Sequence, residues 1–456
     1  MSVASPAAAA VDLHEGLPNP RRLLAFLTIA LATVMAVLDG TIVNVALPTI
    51  GLDQHATAAE SIWIVTGYQL AVSIALLPLA ALGEAIGFKK VFSAGLVIFS
   101  AASLACAFSQ GLPMLTAARI AQGLGGAALM SISPALVRFI MPGNQIGRGI
   151  AGVAVVVAVS GAAGPTIAAA ILAVTTWHWL FLINVPLGII CVAVGRVTLP
   201  ATPAHGRRLD WGSVVLNVLA IGPLISGLSS IGTSAIPWWV AAGQIAIAVV
   251  SGYFLVRRQS EQQAPLLPVD LFRIPAFSLS VVASITSFVA QMLATVSLPF
   301  FFNRALGYSA VETGLLMTPW PVATAIFAPV AGRLIERIPA ARVSGFGSAV
   351  FAIGLAALAL LPAHPSVLDI VWRMSLTGIG FGLFQSPNNK VLITSAPRER
   401  SGGASGMQST ARLIGQSSGA AIAGIIFGLT ASYNLPLTMG IAAACAIAAA
   451  ILSVWR

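Results

Sequence analysis

Long apolar runs alternate with short polar connections along the whole chain. Each run is about 20 residues, enough to cross a hydrocarbon core of about 30 Å at about 1.5 Å per residue. Fourteen runs are present, at 24–45, 62–82, 91–109, 112–136, 149–173, 178–197, 211–231, 237–256, 277–302, 311–332, 343–362, 366–389, 403–430 and 436–455. The pattern predicts an all-α polytopic membrane protein. Composition agrees: 58% of the 456 residues are hydrophobic and 8% charged, too little charge for a soluble chain of this length. The first 23 residues are Ala-rich and end near Arg21-Arg22, and no convincing cleavage site follows the first run. That run is expected to stay as a span rather than leave as a signal peptide.

The net charge of +10 raises the question of nucleic acid or an anionic surface, and its distribution answers it. Of the 23 Lys and Arg residues, nineteen fall on the amino tail, the carboxy end, or on or beside the even-numbered connections. Only Arg304 falls on an odd-numbered connection, and Arg119, Arg373 and Arg412 lie inside spans. The positive-inside rule then places both termini in the cytoplasm. The basic charge is a topology signal, and no nucleic-acid partner is expected.

A self-comparison divides the chain. The segment RIAQGLGGAALMSISPALV (119–137) returns as RMSLTGIGFGLFQSPNNKV (373–391), and ALGEAIGFKK (81–90) returns as GRLIERIPAAR (332–342). The offsets are 254 and 252 residues, and copies eight spans apart enter the membrane with the same polarity. Two six-span halves in parallel repeat are implied, with two inserted helices between them. The expected organisation is a cytoplasmic tail (1–23), an amino half (24–198), inserted helices 7 and 8 with cytoplasmic linkers (199–276) and a carboxy half (277–456). Parallel halves of this kind build secondary transporters whose site lies at the repeat interface.

Five segments in order carry a family resemblance: LDGTIVNVALP (38–48), LGEAIGFKK (82–90), LTAARIAQGLGG (115–126), SGAAGPTIAAA (160–170) and WHWLFLINVPLG (177–188). Together they resemble the major facilitator superfamily, in its fourteen-spanning drug:proton antiporter branch. The resemblance implies the major facilitator fold, alternating access driven by the proton motive force without a cofactor, and coupling through Asp39 and Arg119. It assigns gating roles to Glu84, Gly87 and Lys89 in the loop between spans 2 and 3, to Glu336 and Arg337 in its second copy, and to Gly164 and Pro165 in span 5. Two departures stand out. The usual arginine of the 2–3 loop is Ala85, and Phe88 replaces the basic residue after Gly87. In span 5 the usual glycine pair is Ala168-Ala169.

Buried charge is the candidate chemistry. Among 13 acidic residues only Asp39 lies deep in a span, where an acid costs about 2.5–3.5 kcal/mol on insertion scales. It lies about 22 Å from the cytoplasmic edge of span 1, and Arg119 of span 4 lies about 20 Å from the same edge. Two readings are open. One is a static ion pair joining spans 1 and 4. The other is proton coupling, since burial disfavours the carboxylate and a neighbouring guanidinium favours it. Ala32, Met35 and Ala36 share the Asp39 face and are expected to form a cavity wall. In the second half Arg373 has Asp369 four residues before it, a structural helical pair. The Asp39 position there falls at Gln291-Met292, which is neutral. Arg412, with Gln408 and Gln416 one turn either side, is expected to face a cavity or another helix.

Trp320, Phe381 and Phe384 are candidates for contact with a flat substrate, a core role being the alternative. Thr57 with Glu60, and Ser309 with Glu312, have capping-box spacing. Trp63, Trp177 and Trp179 read as interfacial anchors. The three cysteines fit no metal or disulfide pattern, and no metal site is expected. The five histidines are scattered, with no nucleophile–base constellation or phosphate-binding loop, so an enzyme is not indicated. A proton-channel subunit of a respiratory complex needs a chain of mid-membrane lysines and acids, and only one such acid is present. The expectation is a monomeric proton-driven exporter of amphipathic small molecules in the bacterial cytoplasmic membrane, with its substrate, protons and the lipid bilayer as partners. Export of a specific or anionic metabolite is the alternative, and a periplasmic adaptor is left open.

Overall fold

The computed structural model describes residues 16–202, 210–231, 237–260, 269–396, 401–430 and 434–456. Its helices are α1 (Arg21–Asp53), α2 (Ala58–Ile86), α3 (Phe88–Ala107), α4 (Leu112–Ile140), α5 (Ile146–Val174), α6 (Trp179–Thr198) and α7 (Trp211–Ile231), then α8 (Trp238–Ser260), α9 (Pro275–Phe300), α10 (Ala310–Leu334), α11 (Ala340–Ala359), α12 (Val367–Thr394), α13 (Ser401–Leu429) and α14 (Leu435–Trp455). Thirteen are individually long and apolar enough to cross a membrane, and the bent α5 makes fourteen among the described residues. They coincide with the fourteen apolar runs because a backbone in hydrocarbon must satisfy its own hydrogen bonds, so each run becomes one helix.

Local chemistry sets the ends and breaks. The capping boxes at Thr57/Glu60 and Ser309/Glu312 are both formed, each hydroxyl accepting from the backbone amide three residues on. In α10 the helix is interrupted between Met317 and Pro319, where the proline ring removes a backbone donor. The bend in α5, 45° between Gly161 and Ala163, lies one turn before Pro165, whose ring crowds the carbonyl four residues back.

Packing repeats with an eight-helix offset. In the amino half α4 packs on α1, α2, α3 and α5, while α6 packs on α1 and α3, and α1 on α5. In the carboxy half α12 packs on α9, α10, α11 and α13, while α14 packs on α9 and α11, and α9 on α13. The halves meet through α2 with α13, α5 with α10, and α1 with α9. The first two contacts exchange under the repeat, and the third lies on its axis. The inserted α7 and α8 pair with each other, and α7 rests on α2 and α13 from outside.

The two ends of this bundle differ. Toward the face away from the termini, one apolar core is shared: Ile42–Ile50 of α1 and Phe181 of α6 join Phe288–Phe302, Met317 and Ala420–Ile426 of the other half. Toward the terminal face the cores are separate. Ala25–Ala36, Val72–Leu76 and Leu129–Ile140 form one, and the carboxy half has its own small clusters. Among the described residues the halves therefore share one core at one end, while toward the other only Leu413 of α13 joins the amino half's cluster.

Small residues make the crossings close. A methyl added at Gly125 of α4 would come within 2.6 Å of the Phe99 amide nitrogen and 2.7 Å of the Gly95 carbonyl, whereas nothing lies within 4 Å of one added at Gly222 of α7. Gly125→Ala is expected to destabilise the purified protein by about 2 kcal/mol through overpacking. Gly222→Ala should stay within about 0.5 kcal/mol. Thermal unfolding in detergent distinguishes the two.

Candidate functional site

Asp39 sits on α1 and Arg119 on α4, and each is 1% exposed. The Arg119 Nη1 forms an ion pair with Asp39 Oδ2, which confirms the equal depths expected from the two spans. Two more donors complete the carboxylate. Gln122 Nε2 donates to Asp39 Oδ1 at 2.8 Å, and Asn184 Nδ2 of α6 donates to the same oxygen at 3.1 Å. The guanidinium is equally occupied: Nε donates to the Ile64 carbonyl at 3.1 Å and Nη1 to Gln122 Oε1 at 2.6 Å. It stacks 4.2 Å from the Tyr68 ring and 5.6 Å from the Phe181 ring. The second Gln122 amide proton goes to Ser103 Oγ at 2.8 Å, and the Tyr68 hydroxyl donates to the Ala36 carbonyl at 2.9 Å. Five helices of one half thus converge on a network in which both carboxylate oxygens and the Arg119 Nε and Nη1 are hydrogen-bonded, the kind of satisfaction under which a buried ion pair is tolerated.

Sequence reasoning missed Gln122, Asn184, Tyr68 and Ser103. Gln122 is three residues after Arg119 and so on the same helical face, a signal that was available. Asn184 is the one amide inside span 6.

The expected cavity wall is corrected. Ala32, Met35 and Ala36 are 0%, 1% and 2% exposed and belong to the amino half's own core. The Asp39 face of α1 looks into its own bundle because its partners, Arg119, Gln122 and Asn184, are there. Trp320, Phe381 and Phe384 are likewise core. Phe381 packs against Phe288 at 5.6 Å and Phe351 at 5.3 Å, and Trp320 against Phe351 at 5.8 Å. Phe384 is 1% exposed and lies 6.5 Å from Phe381. Trp177 is buried rather than interfacial, its Nε1 donating to Asp53 Oδ2 at 3.1 Å, while Trp179 is exposed.

The gating candidates divide. Gly87 adopts φ +103° in the α2–α3 turn, and a side chain there would approach the Thr202 carbonyl at 3.0 Å. Lys89 Nζ donates to the Leu199 and Arg196 carbonyls at 2.7 and 3.0 Å, so this turn docks on the end of α6 within its own half. Glu84, Glu336 and Arg337 are exposed at the terminal face, and their side chains make no hydrogen bond or ion pair with a described residue. Gly164 lets α5 approach Thr41 of α1, and the Pro165 carbonyl lies 2.8 Å from where a Gly314 methyl would be. Ala168 and Ala169 remain buried in these crossings, so close packing survives the loss of the glycine pair.

The second half carries no equivalent network. Arg373 pairs with Asp369 at 3.2 Å along its own helix, as its spacing predicted. Gln291 encloses an Oε1 without a partner. Arg412, Gln408 and Gln416 lie half-buried along one stripe of α13, and the Arg412 Nε is enclosed without a partner. No group of three or more potential metal-ligating side chains occurs among the described residues. A separate cavity of about 400 Å³ between α7 and α2–α4 is lined by aliphatic side chains, with Lys90 at its edge. It lies outside the junction of the halves and has no group to select a polar substrate.

Comparison with known proteins now fixes the family. The family model described as Major Facilitator Superfamily matches residues 29–255, 212–420 and 279–456. The chain belongs to the Major Facilitator Superfamily. It is 53% identical over 441 residues to an uncharacterized transporter, YebQ, of Escherichia coli, with 96% of each chain covered. It is 26% identical to the riboflavin transporter RibZ of Clostridioides difficile, over 90% of this chain and 89% of that one. It is 30% identical to the multidrug resistance protein Stp of Mycobacterium tuberculosis, over 91% of this chain and 78% of that one. As a superfamily member the chain is a multi-pass membrane transporter and not an enzyme, which removes the respiratory-subunit alternative.

The network makes a double-mutant prediction. Asp39→Leu strands Arg119 without a counter-charge and is expected to cost about 3–5 kcal/mol. Adding Arg119→Leu should recover most of that loss, because the pair's attraction is largely offset by its desolvation. Thermal unfolding of the two single variants and the double variant tests this, and strictly additive losses would contradict it.

Proposed function

We propose that this superfamily member is a proton-coupled exporter of amphipathic compounds that works by alternating access in the bacterial cytoplasmic membrane. The observation that carries the reading is one buried carboxylate held by Arg119 in one half of a bundle whose halves share a core at one end and keep largely separate cores at the other. The positive-inside distribution puts the terminal face in the cytoplasm, so the described conformation is open inward. Similarity to Stp, a multidrug resistance protein, supports export.

In this reading the proton acts by removing the ion pair. A neutral Asp39 no longer holds the guanidinium, and Arg119 keeps the Ile64 carbonyl, Gln122 Oε1 and the Tyr68 face as alternative partners. The charge therefore has somewhere to go when α1 is released from α4. Because Asp39 is 1% exposed here, proton exchange belongs to a conformation in which α1 separates from α4 and α6. The halves then re-close at the terminal face, a population shift driven by differential stabilisation of the two states. A second reading, export of one endogenous metabolite, is favoured by the similarity to RibZ.

Everted membrane vesicles test the coupling with ethidium, Hoechst 33342 and carboxyfluorescein as probes. Wild-type vesicles should accumulate at least one probe in a protonophore-sensitive manner, and Asp39→Asn should lower that rate at least tenfold. Full-rate, protonophore-sensitive accumulation by Asp39→Asn would sink the assignment.

A further inference from the structure

The charge inside the membrane-spanning helices is not symmetric in what it leaves available. Asp39 accepts from Arg119, Gln122 and Asn184 and is 1% exposed, so it offers nothing to a ligand between the halves. Every other acid whose side chain is described lies at a helix end: Asp53, Glu60, Glu84, Asp210, Glu312, Glu336 and Asp369. Of the basic residues within spans, Arg119 is paired with Asp39 and Arg373 with Asp369. Arg412 is different. It makes no salt bridge and no hydrogen bond with any described residue, and its Nε is enclosed without a partner.

Its place on α13 says what it faces. Gly415 and Gly419 pack on Ile285 and Val289 of α9, while Ser417 reaches Ser73 of α2 at 3.2 Å and Leu413 belongs to the amino half's core. At 100° per residue Arg412 and Gln416 fall between these two packed sides, while Gln408, two turns before Gly415, shares the α9-facing direction of the glycines. It also sits where the shared core gives way to separate ones: Ala411 belongs to the carboxy half's terminal-face cluster, and Ala420 to the core common to both halves. Leu413, the next residue along, belongs to the same core cluster as Tyr68, which sets this part of α13 against α2 across the junction. A lone guanidinium with two amide side chains one turn either side, at the closed end of an open cleft, is an unfilled donor set.

The geometry points to an organic monoanion, a carboxylate on an apolar body, as the substrate class, with Arg412 as its charge-reading residue and Gln408 and Gln416 as flanking donors. The inference deepens the exporter reading and rests on it for the position of the substrate between the halves. A planar guanidinium matches a carboxylate in a two-point fork. One positive charge with two neutral amides balances one negative charge and leaves a dianion in excess. A lipophilic cation would meet the uncompensated positive charge with no free carboxylate to offset it.

Equilibrium binding separates this inference from the transport reading, because it needs no gradient and no turnover. The full chain in lipid nanodiscs is titrated with 1-pyrenebutyrate and with 1-pyrenebutylamine, read by pyrene fluorescence. The wild type should bind the carboxylate at least tenfold more tightly than the amine. Arg412→Gln should abolish that preference, and Arg412→Lys should retain part of it. Size-exclusion profiles and melting temperatures establish that each variant is folded. A wild type that binds the amine as well as the carboxylate, or binds neither, overturns the inference, as does a folded Arg412→Gln with undiminished preference. Wild-type vesicles that accumulate no probe in a protonophore-sensitive manner, with the binding preference intact, would overturn the exporter reading and leave the anion site standing.

Discussion

An ion pair in a low-dielectric interior constrains everything near it, because neither partner can be left alone without a penalty of several kcal/mol. Asp39 and Arg119 meet that constraint with Gln122 and Asn184, drawn from α4 and α6, and with the Tyr68 ring of α2. The consequence is mechanical. Five helices of the amino half are held to one another through a single carboxylate and guanidinium, so that half has a reason to behave as one body. The carboxy half reaches a similar arrangement without a buried acid–guanidinium pair at its centre among the described residues. Its interior is an aromatic chain running Phe288, Phe381, Phe351 and Trp320, around glycines at 347, 354, 378 and 380 that bring α10, α11 and α12 close together. The interior of one half is organised around a buried acid–guanidinium pair and that of the other around aromatic rings and glycines, and the proposed coupling rests on that difference.

The junction of the halves is built differently from either interior. α5 and α10 meet over Pro165, Ala169 and Gly314, where backbone approaches backbone, and α2 and α13 meet over paired serines. Helices in lipid gain nothing from burying apolar surface against each other, so such contacts rest on close packing and a few hydrogen bonds. Contacts of that kind are easily exchanged for equivalent ones at the other end of the bundle. The single apolar core at the face away from the termini, with separate cores at the terminal face, is one of the two arrangements an alternating bundle requires.

Much of this was legible in the sequence, for definite physical reasons. Span positions follow from hydrocarbon thickness and helical rise, so all fourteen runs became helices. The Asp39–Arg119 contact follows from equal depth on antiparallel spans, and the Arg373–Asp369 pair from helical spacing. What was not legible is the direction in which a face looks. In a soluble protein an apolar face points inward, but lipid is as apolar as the core, and the pattern cannot distinguish a helix's own half from the opposing half or from lipid. That is why Met35, Phe381 and Phe384 read as cavity residues and proved to be packing. Asn184 was passed over because a single amide carries no charge to draw attention, although in hydrocarbon it too must find a partner.

The same accounting bears on how two distant sites could act on one another. Tyr68 lies under the Arg119 guanidinium at 4.2 Å, its hydroxyl bound to the Ala36 carbonyl three residues before Asp39, and Leu413, next to Arg412, joins its core cluster from the opposing half. Tyr68 is therefore common to a filled network and an unfilled one. In the proposed reading, a monoanion at Arg412 would neutralise a positive charge on the opposing side of Tyr68 from the Asp39–Arg119 pair. Binding of substrate from the open face and uptake of a proton would then favour each other through one aromatic residue. Thermodynamic reciprocity requires that a proton already on Asp39 also favour the substrate. The coupling would be carried by groups already in contact in the described conformation, without any rearrangement of the carboxy half beyond the displacement of α13 that re-closing the cleft demands.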